Sequence, residues 1–309
     1  MNVMVEKTPI LDTFTYIFLI IGVLIVGFPI MYSLIAATLP LEDVSKVPMP
    51  MIPGDQFLEN MKEAWSRGNL GNQIFNSFVM ATGITIGKIT VSMIGAFSIV
   101  YFDYRLRVVA FASVFCTLML PVEVRIMPTY EVAANVLGPI QALWDLLHLN
   151  GLASWLTGHE IEVNLNWSLL DSYTGLTLPL IASATCTFLF RQFFLTVPEE
   201  LCEAAKMDGA TPMTFFRKIL FPLSKTNIAA LIVIEFVYGY NQYLWPLLIT
   251  TDPDMTTAVI GLQNLIPQAD DLPEWNIALG AALMVMLPPV LVVLSMQRWF
   301  VKGLIEKEK

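Results

Sequence analysis

Residues 13–41 read TFTYIFLIIGVLIVGFPIMYSLIAATLPL, without one charged side chain. A helix crosses the hydrocarbon core of a bilayer with about 20 mostly apolar residues. This run therefore predicts a membrane-spanning helix over about Phe14 to Thr38. It is longer than the core of a signal peptide, and no A-x-A site follows it, which predicts a span that is kept. The rest of the chain agrees. Of 309 residues, 56% are hydrophobic and 14% are charged, against about 25% charged in a soluble domain. Mean hydropathy is +0.65. A soluble enzyme cannot hide that much apolar surface, and a disordered or fibrous chain does not have it.

Five further stretches are long and apolar enough to span: about 76–102, 108–130, 172–190, 226–250 and 275–297. The fold expected is an all-α membrane protein of six transmembrane helices, built as a single membrane domain over 1–309. With the N-terminus in the cytoplasm, twelve of the 17 Lys and Arg fall on inside segments and three, Lys46, Lys62 and Arg67, on outside loops. That bias places both termini in the cytoplasm. The net charge of −9 argues against nucleic acid as a partner. Cys116, Cys186 and Cys202 are odd in number and far apart, so no disulfide framework follows. His148 and His159 are too few for a histidine metal site and read as solvated loop residues.

Four charges, Lys88, Glu123, Arg125 and Glu235, lie within or at the edge of spans. Each is costly in hydrocarbon and must face the bundle interior or water. Thr85, Lys88 and Ser92 share one helix face, as do Glu235, Tyr238 and Gln242. Two positive and two negative charges balance, so these side chains either pair with one another or line a solute path; the pattern leaves both open. Tyr240, Asn241, Gln242, Tyr243 and Trp245 read either as a polyol-handling surface or as an interfacial aromatic belt. Gly83 and Gly87 predict a face where another helix packs closely. The same segment, GITIGKIT (83–90), is one residue short of a phosphate loop and follows no strand, so the chain has no ATPase of its own. Pro121, Pro288 and Pro289 predict kinks.

Two outside loops are too long to be turns. One covers about 40–75. The other covers 131–171 and holds PIQALWDLLHL (139–149), a short apolar helix pattern suited to an interface.

The segment 196–225, TVPEELCEAAKMDGATPMTFFRKILFPLSK, falls inside, between spans four and five. Thr196 and Glu199 fit a capping box. Gly209 predicts a turn between two helices, the second ending near Pro222. Short Ala side chains suit close docking into a groove of another protein. The spacing Glu203-Ala204-Ala205, three residues, Gly209, nine residues, Ile219, one residue, Phe221-Pro222 resembles the EAA motif of ABC importer permeases; Phe221 stands where Leu is more usual.

Further segments resemble the maltose-type permeases of carbohydrate uptake: NSFVM (76–80), GKITVS (87–92), LMLPVEVRI (118–126), DSYTGLTLP (171–179), FLFRQFF (188–194), DGATPMTFF (208–216), FPLSKTN (221–227), YGYNQYLWPLL (238–248) and MQRWFVKGL (296–304). They cover most of the chain except about 136–167, which exceeds the short outside connection usual in that family. The resemblance implies a type I (MetI-like) permease fold in the inner membrane. It implies that Glu203, Ala204, Ala205, Asp208, Gly209, Ile219 and Pro222 couple the chain to an ATPase. It implies a second permease subunit, an ABC ATPase dimer that holds ATP and Mg, and a periplasmic or lipid-anchored solute-binding protein. This chain would then bind no cofactor or metal and catalyse nothing. The implied solute is sn-glycerol-3-phosphate or a related polyol phosphate, with an uncharged sugar as the alternative. A phosphate dianion needs cations and donors in its path, so Lys88, Glu123, Arg125, Glu235, Tyr238, Asn241, Gln242 and Trp245 are the candidate translocation residues. The rival class is an ion-coupled carrier with Lys88 and Glu235 as its relay.

Overall fold

The computed structural model describes residues 9–117, 122–150, 164–266 and 273–305, and among these every regular element is helical. Among the described residues, three helices are long and apolar enough to cross a membrane unbroken: Pro9–Ala36, Leu70–Tyr101 and Trp275–Gln297, the last being part of a helix that runs to Ile305. In Pro9–Ala36 only Ala36 is buried. Apart from Ile35, its Ile, Leu, Val and Phe side chains face outward, as a helix solvated by hydrocarbon requires.

The packing divides the chain into two units, residues 1–71 with 261–287 and residues 72–260 with 288–309. In the first, Ala36, Leu39, Val44 and Met49 form a small core with Leu279. Buried Asn60 organises it: its Nδ2 donates to the carbonyls of Ala37 and Leu39, each at 2.9 Å, and its Oδ1 accepts from Asn276 at 3.0 Å. The carbonyls left open where the first span ends are thereby satisfied within the protein.

In the second unit, one core gathers Met80, Ile84, Ile126, Leu176, Trp245 and Ile249. Another gathers Phe97, Cys186, Phe190, Phe194, Phe215, Leu220 and Leu231. The Leu70–Tyr101 helix belongs to both. Gly83 and Gly87 on this helix allow the approach expected of them. A Cβ on Gly83 would sit 2.8 Å from the Thr177 methyl, and one on Gly87 would sit 2.5 Å from Ile181.

Two expected continuous spans are broken instead. The fourth, placed at 172–190, begins at Tyr173–Thr177 with Ser172 as its cap, tightens through Leu178–Leu180, then bends by 50° into Ala184–Phe194. Pro179 cannot donate a helix hydrogen bond, and the Ser183 hydroxyl starts the second segment by accepting from the Cys186 N–H at 3.2 Å. The fifth, placed at 226–250, runs as Lys225–Tyr240, stops, and resumes as Leu244–Ile249. The Pro246 ring would clash with the Gln242 carbonyl in an uninterrupted helix. The third appears as Arg107–Cys116 and Val122–Ala134; Pro121 lies outside the described residues, as does His159. The last helix is unbroken across Pro288 and Pro289.

The long segment 131–171 contains a helix, Gly138–Leu146, where the apolar pattern predicts one. Its two ends are tied together. The Val136 N–H donates to the Trp167 carbonyl at 2.9 Å, the Leu169 N–H donates to Ala133, and the Asn135 side chain bonds Leu137, Leu165 and Trp167. The excess length therefore leaves and rejoins the fold at one point.

Candidate functional site

The four charges expected in the spans do not share one fate. Lys88 on the Leu70–Tyr101 helix and Glu235 on Lys225–Tyr240 pair at 2.7 Å, with side chains only 8% and 7% exposed. Desolvation of two ions is costly, and it is offset only when their remaining bonding capacity is used. Here the other Glu235 oxygen accepts from the Cys186 thiol at 2.8 Å. The Lys88 ammonium also lies 3.8 Å from the centre of the Tyr238 ring, a cation–π contact. Three helices meet in this one cluster. Thr85 and Ser92, on the Lys88 face, are buried and bonded to the carbonyls of Ala81 and Ser183. Cys186 is the member that sequence reasoning missed. A lone cysteine in an apolar run carries no pattern that would reveal an acid beside it.

Arg125 stands apart. It is exposed and forms no ion pair among the described residues. Together with Lys88, Glu235, Tyr238, Ser183 and Thr185 it borders a cavity of about 550 Å³. The Glu123 side chain lies outside the described residues.

The cluster 240–245 divides. Trp245 is buried, with its indole N–H donating to the Gly175 carbonyl at 3.1 Å, so its polar edge holds backbone although the residue also borders the cavity. Gln242 does not continue the Glu235–Tyr238 face. The helix has stopped, and its amide donates to the Tyr238 carbonyl at 3.1 Å. Asn241 is the exposed C-cap. At the far end of the same helices, Tyr173 donates to Asn76 Oδ1 at 2.6 Å while Asn76 Nδ2 holds the carbonyls of Asp254 and Thr256.

The segment 196–225 is a helical hairpin as expected, with one difference. The capping box does not form. The Thr196 hydroxyl donates to the Phe193 carbonyl at 2.7 Å, and the helix Glu199–Met207 starts after Pro198. The residue before a proline disfavours helical backbone, so the start moves past Pro198. Glu199 and Glu200 then occupy the first turn, where the helix dipole favours them. The second helix runs as Pro212–Phe215, Phe216–Leu220 and Phe221–Leu223, ending beside Pro222 as expected, then turns by 71° into the fifth span.

Between the helices, Gly209 has φ +72°. Its N–H bonds the Lys206 carbonyl at 3.0 Å, and the Ala210 N–H bonds the Ala205 carbonyl at 2.9 Å. That pair of bonds is a Schellman motif, which wants glycine at this residue. The candidate docking residues then separate. Glu203, Ala204, Asp208, Gly209 and Pro222 are exposed; Ala205 is buried, and Ile219 packs against the same core of Phe97, Phe194 and Phe215. Ala205 is therefore not an open docking contact; it anchors the hairpin to the spans.

A profile of the binding-protein-dependent transport system inner membrane component matches residues 7–306. The chain belongs to that family. Its members are permease components of ABC importers, and the hairpin just described is where the EAA pattern falls. Relatives named sn-glycerol-3-phosphate transport system permease protein UgpE, from Pectobacterium atrosepticum and from Escherichia coli strain K12, are each 49% identical over 312 aligned positions, covering 99% of this chain and 100% of theirs. A protein of the same name from Yersinia enterocolitica is equally similar. Among solved structures, a bacterial ABC transporter involved in the import of the acidic polysaccharide alginate superposes with a TM-score of 0.72, at 16% identity, over 96% of this chain and 98% of that one. That likeness concerns the fold. The chain is thus an all-α permease of the MetI-like type, an inner-membrane component.

Proposed function

We propose that this chain is one of two different permeases of an importer for sn-glycerol-3-phosphate or a closely related polyol phosphate. The supporting observation is the 49% identity, end to end, to permeases named for that solute. A phosphate ester also suits a cavity with Arg125 on its border. The other components are a second permease, a dimeric ABC ATPase that binds ATP and Mg, and a solute-binding protein outside the membrane. Both termini and the 199–223 hairpin face the cytoplasm, in keeping with the Lys and Arg bias. The chain itself performs no covalent chemistry.

In this mechanism ATP draws the two ATPase subunits together, and the exposed tip of the hairpin, from Glu203 to Gly209, moves with them. Because Ala205, Phe215 and Leu220 share a core with Phe97, Phe190 and Phe194, the hairpin cannot move without the second and fourth spans. The permease pair switches to an outward-open state, receives the solute, and reopens inward after hydrolysis. This is rigid-body switching between two states. The test is uptake of labelled sn-glycerol-3-phosphate by the full importer in vesicles. Uptake that needs ATP and the binding protein supports the reading. Uptake of an unphosphorylated sugar instead, or uptake by this chain alone, rejects it.

A further inference from the structure

Among the described residues two cations border the 550 Å³ cavity, and they are not equivalent. Lys88 is compensated: Glu235 holds its ammonium at 2.7 Å, and the pair is buried. Its charge is already committed to the three-helix cluster. Arg125 has no ion-pair partner among the described residues and is exposed beside the cavity. A guanidinium keeps its proton at any working pH. A permanent cation with no ion-pair partner among the described residues is costly at membrane depth unless water or an anion answers it. Of the hydroxyls on the same border, Thr129 is spent on the Arg125 carbonyl at 2.7 Å and Thr117 on Val114. Thr185 and Tyr238 are on the border too, and their hydroxyls donate to no other described residue. The volume falls in the usual range for small-molecule sites, about 300–1,000 Å³.

From this we infer that Arg125, and not Lys88, recognises the anionic group of the solute, by a forked guanidinium–phosphate contact in this cavity. The hydroxyls of Thr185 and Tyr238 are then available to the polyol end. The inference rests on the reading of the chain as a polyol-phosphate permease and assigns that reading its specificity residue. A planar fork matches phosphate oxygens in two parallel hydrogen bonds, while the Lys88–Glu235 pair supplies no net attraction for an anion.

The experiment uses the complete importer, two permeases, ATPase and binding protein, in vesicles. Arg125→Met is expected to lower sn-glycerol-3-phosphate uptake at least tenfold while the ATPase still co-purifies. Arg125→Lys, which keeps the charge without the fork, is expected to retain more than a third of the uptake. A measurement on the unaltered chain stands beside these: phenylglyoxal labelling of Arg125, read by mass spectrometry, should fall at least threefold when ATP, binding protein and sn-glycerol-3-phosphate are supplied, and should not fall with glycerol. Unchanged uptake in Arg125→Met overturns the assignment, as does a lysine variant as poor as the methionine one, or labelling that the solute does not suppress. Absence of uptake by the unaltered importer is a different failure and overturns the substrate reading instead.

Discussion

Lys88 and Glu235 are 147 residues apart in the chain and 2.7 Å apart in space. Their contact joins the second span to the fifth, and the Cys186 thiol ties the fourth to the fifth through Glu235. A buried pair of this kind contributes little net energy against an apolar replacement, but it makes each partner dependent on the other. Because the interaction can be removed from either side or from both, it is open to a double-mutant test.

Lys88→Met alone leaves an uncompensated carboxylate among packed helices. It is expected to destabilise the chain by about 3–5 kcal/mol. Lys88→Met with Glu235→Met removes both charges and should recover most of the loss. Thermal unfolding of the purified complex, followed by size-exclusion fluorescence, reads the difference. A double variant no more stable than the single one contradicts the pairing.

Gly87→Val should be worse than Gly83→Ala, and Gly22→Ala should be silent. A Cβ at residue 87 meets Ile181 at 2.5 Å, one at 83 meets a single methyl at 2.8 Å, and one at 22 meets nothing within 4 Å. Overpacking costs about 1–3 kcal/mol. The expected order in melting temperature is Gly22→Ala, then Gly83→Ala, then Gly87→Val at the bottom.

Gly209→Ala forces a Cβ into left-handed backbone, at about 1–2 kcal/mol. Nothing crowds the position otherwise, so the strain is conformational. Asn tolerates that region better, and Gly209→Asn should therefore couple better than Gly209→Ala. Retention of the ATPase on the purified permease, together with solute uptake, checks the order.

Single cysteines report which hairpin residues are open. Ala204→Cys should cross-link to the ATPase, because Ala204 is exposed; Ala205→Cys should not, because Ala205 packs beneath the hairpin. Equal cross-linking from both would contradict the placement of Ala205.

Asp171 supplies a pH dependence. The Asp252 N–H at 2.8 Å, with the Thr251 hydroxyl and N–H, holds its carboxyl below the ordinary carboxylate value. A depressed folded-state pKa means stability that is present above the unfolded value, about 3.9, and lost as pH falls through the lower folded one. The tie between Asp171 and the 251–252 turn should therefore persist at neutral pH and loosen below about pH 4. Limited proteolysis at the 251–254 turn should rise over that acid range in the native chain. In Asp171→Asn it should already be raised at pH 7 and change little on acidification.

Part of the site was legible without coordinates because its signals are local. A helix in lipid must be apolar along its length, so Thr13–Leu41 declares itself. A Schellman turn wants glycine at one residue, so Gly209 does too. Gly83 and Gly87 mark a close contact, although nothing in the chain says that Thr177 and Ile181 fill it. Cys186 gave no sign of lying against an acid. The breaks near Ile181 and Asn241 were hidden because hydropathy averages across them, whereas the interruption depends on which carbonyl each proline or serine meets.

Taken alone, the order of residues determined that this is an all-helical membrane protein with a helical hairpin turning at Gly209, since span length and turn chemistry act over a few neighbours; the permease reading came from the resemblance of its motifs to those of ABC importer permeases. Tertiary structure decided which of the described intramembrane charges cancel each other. Electrostatic compensation requires two groups within a few ångströms, and only the folded bundle brings Lys88 to Glu235, while Arg125, on the border of the same cavity, forms no ion pair among the described residues.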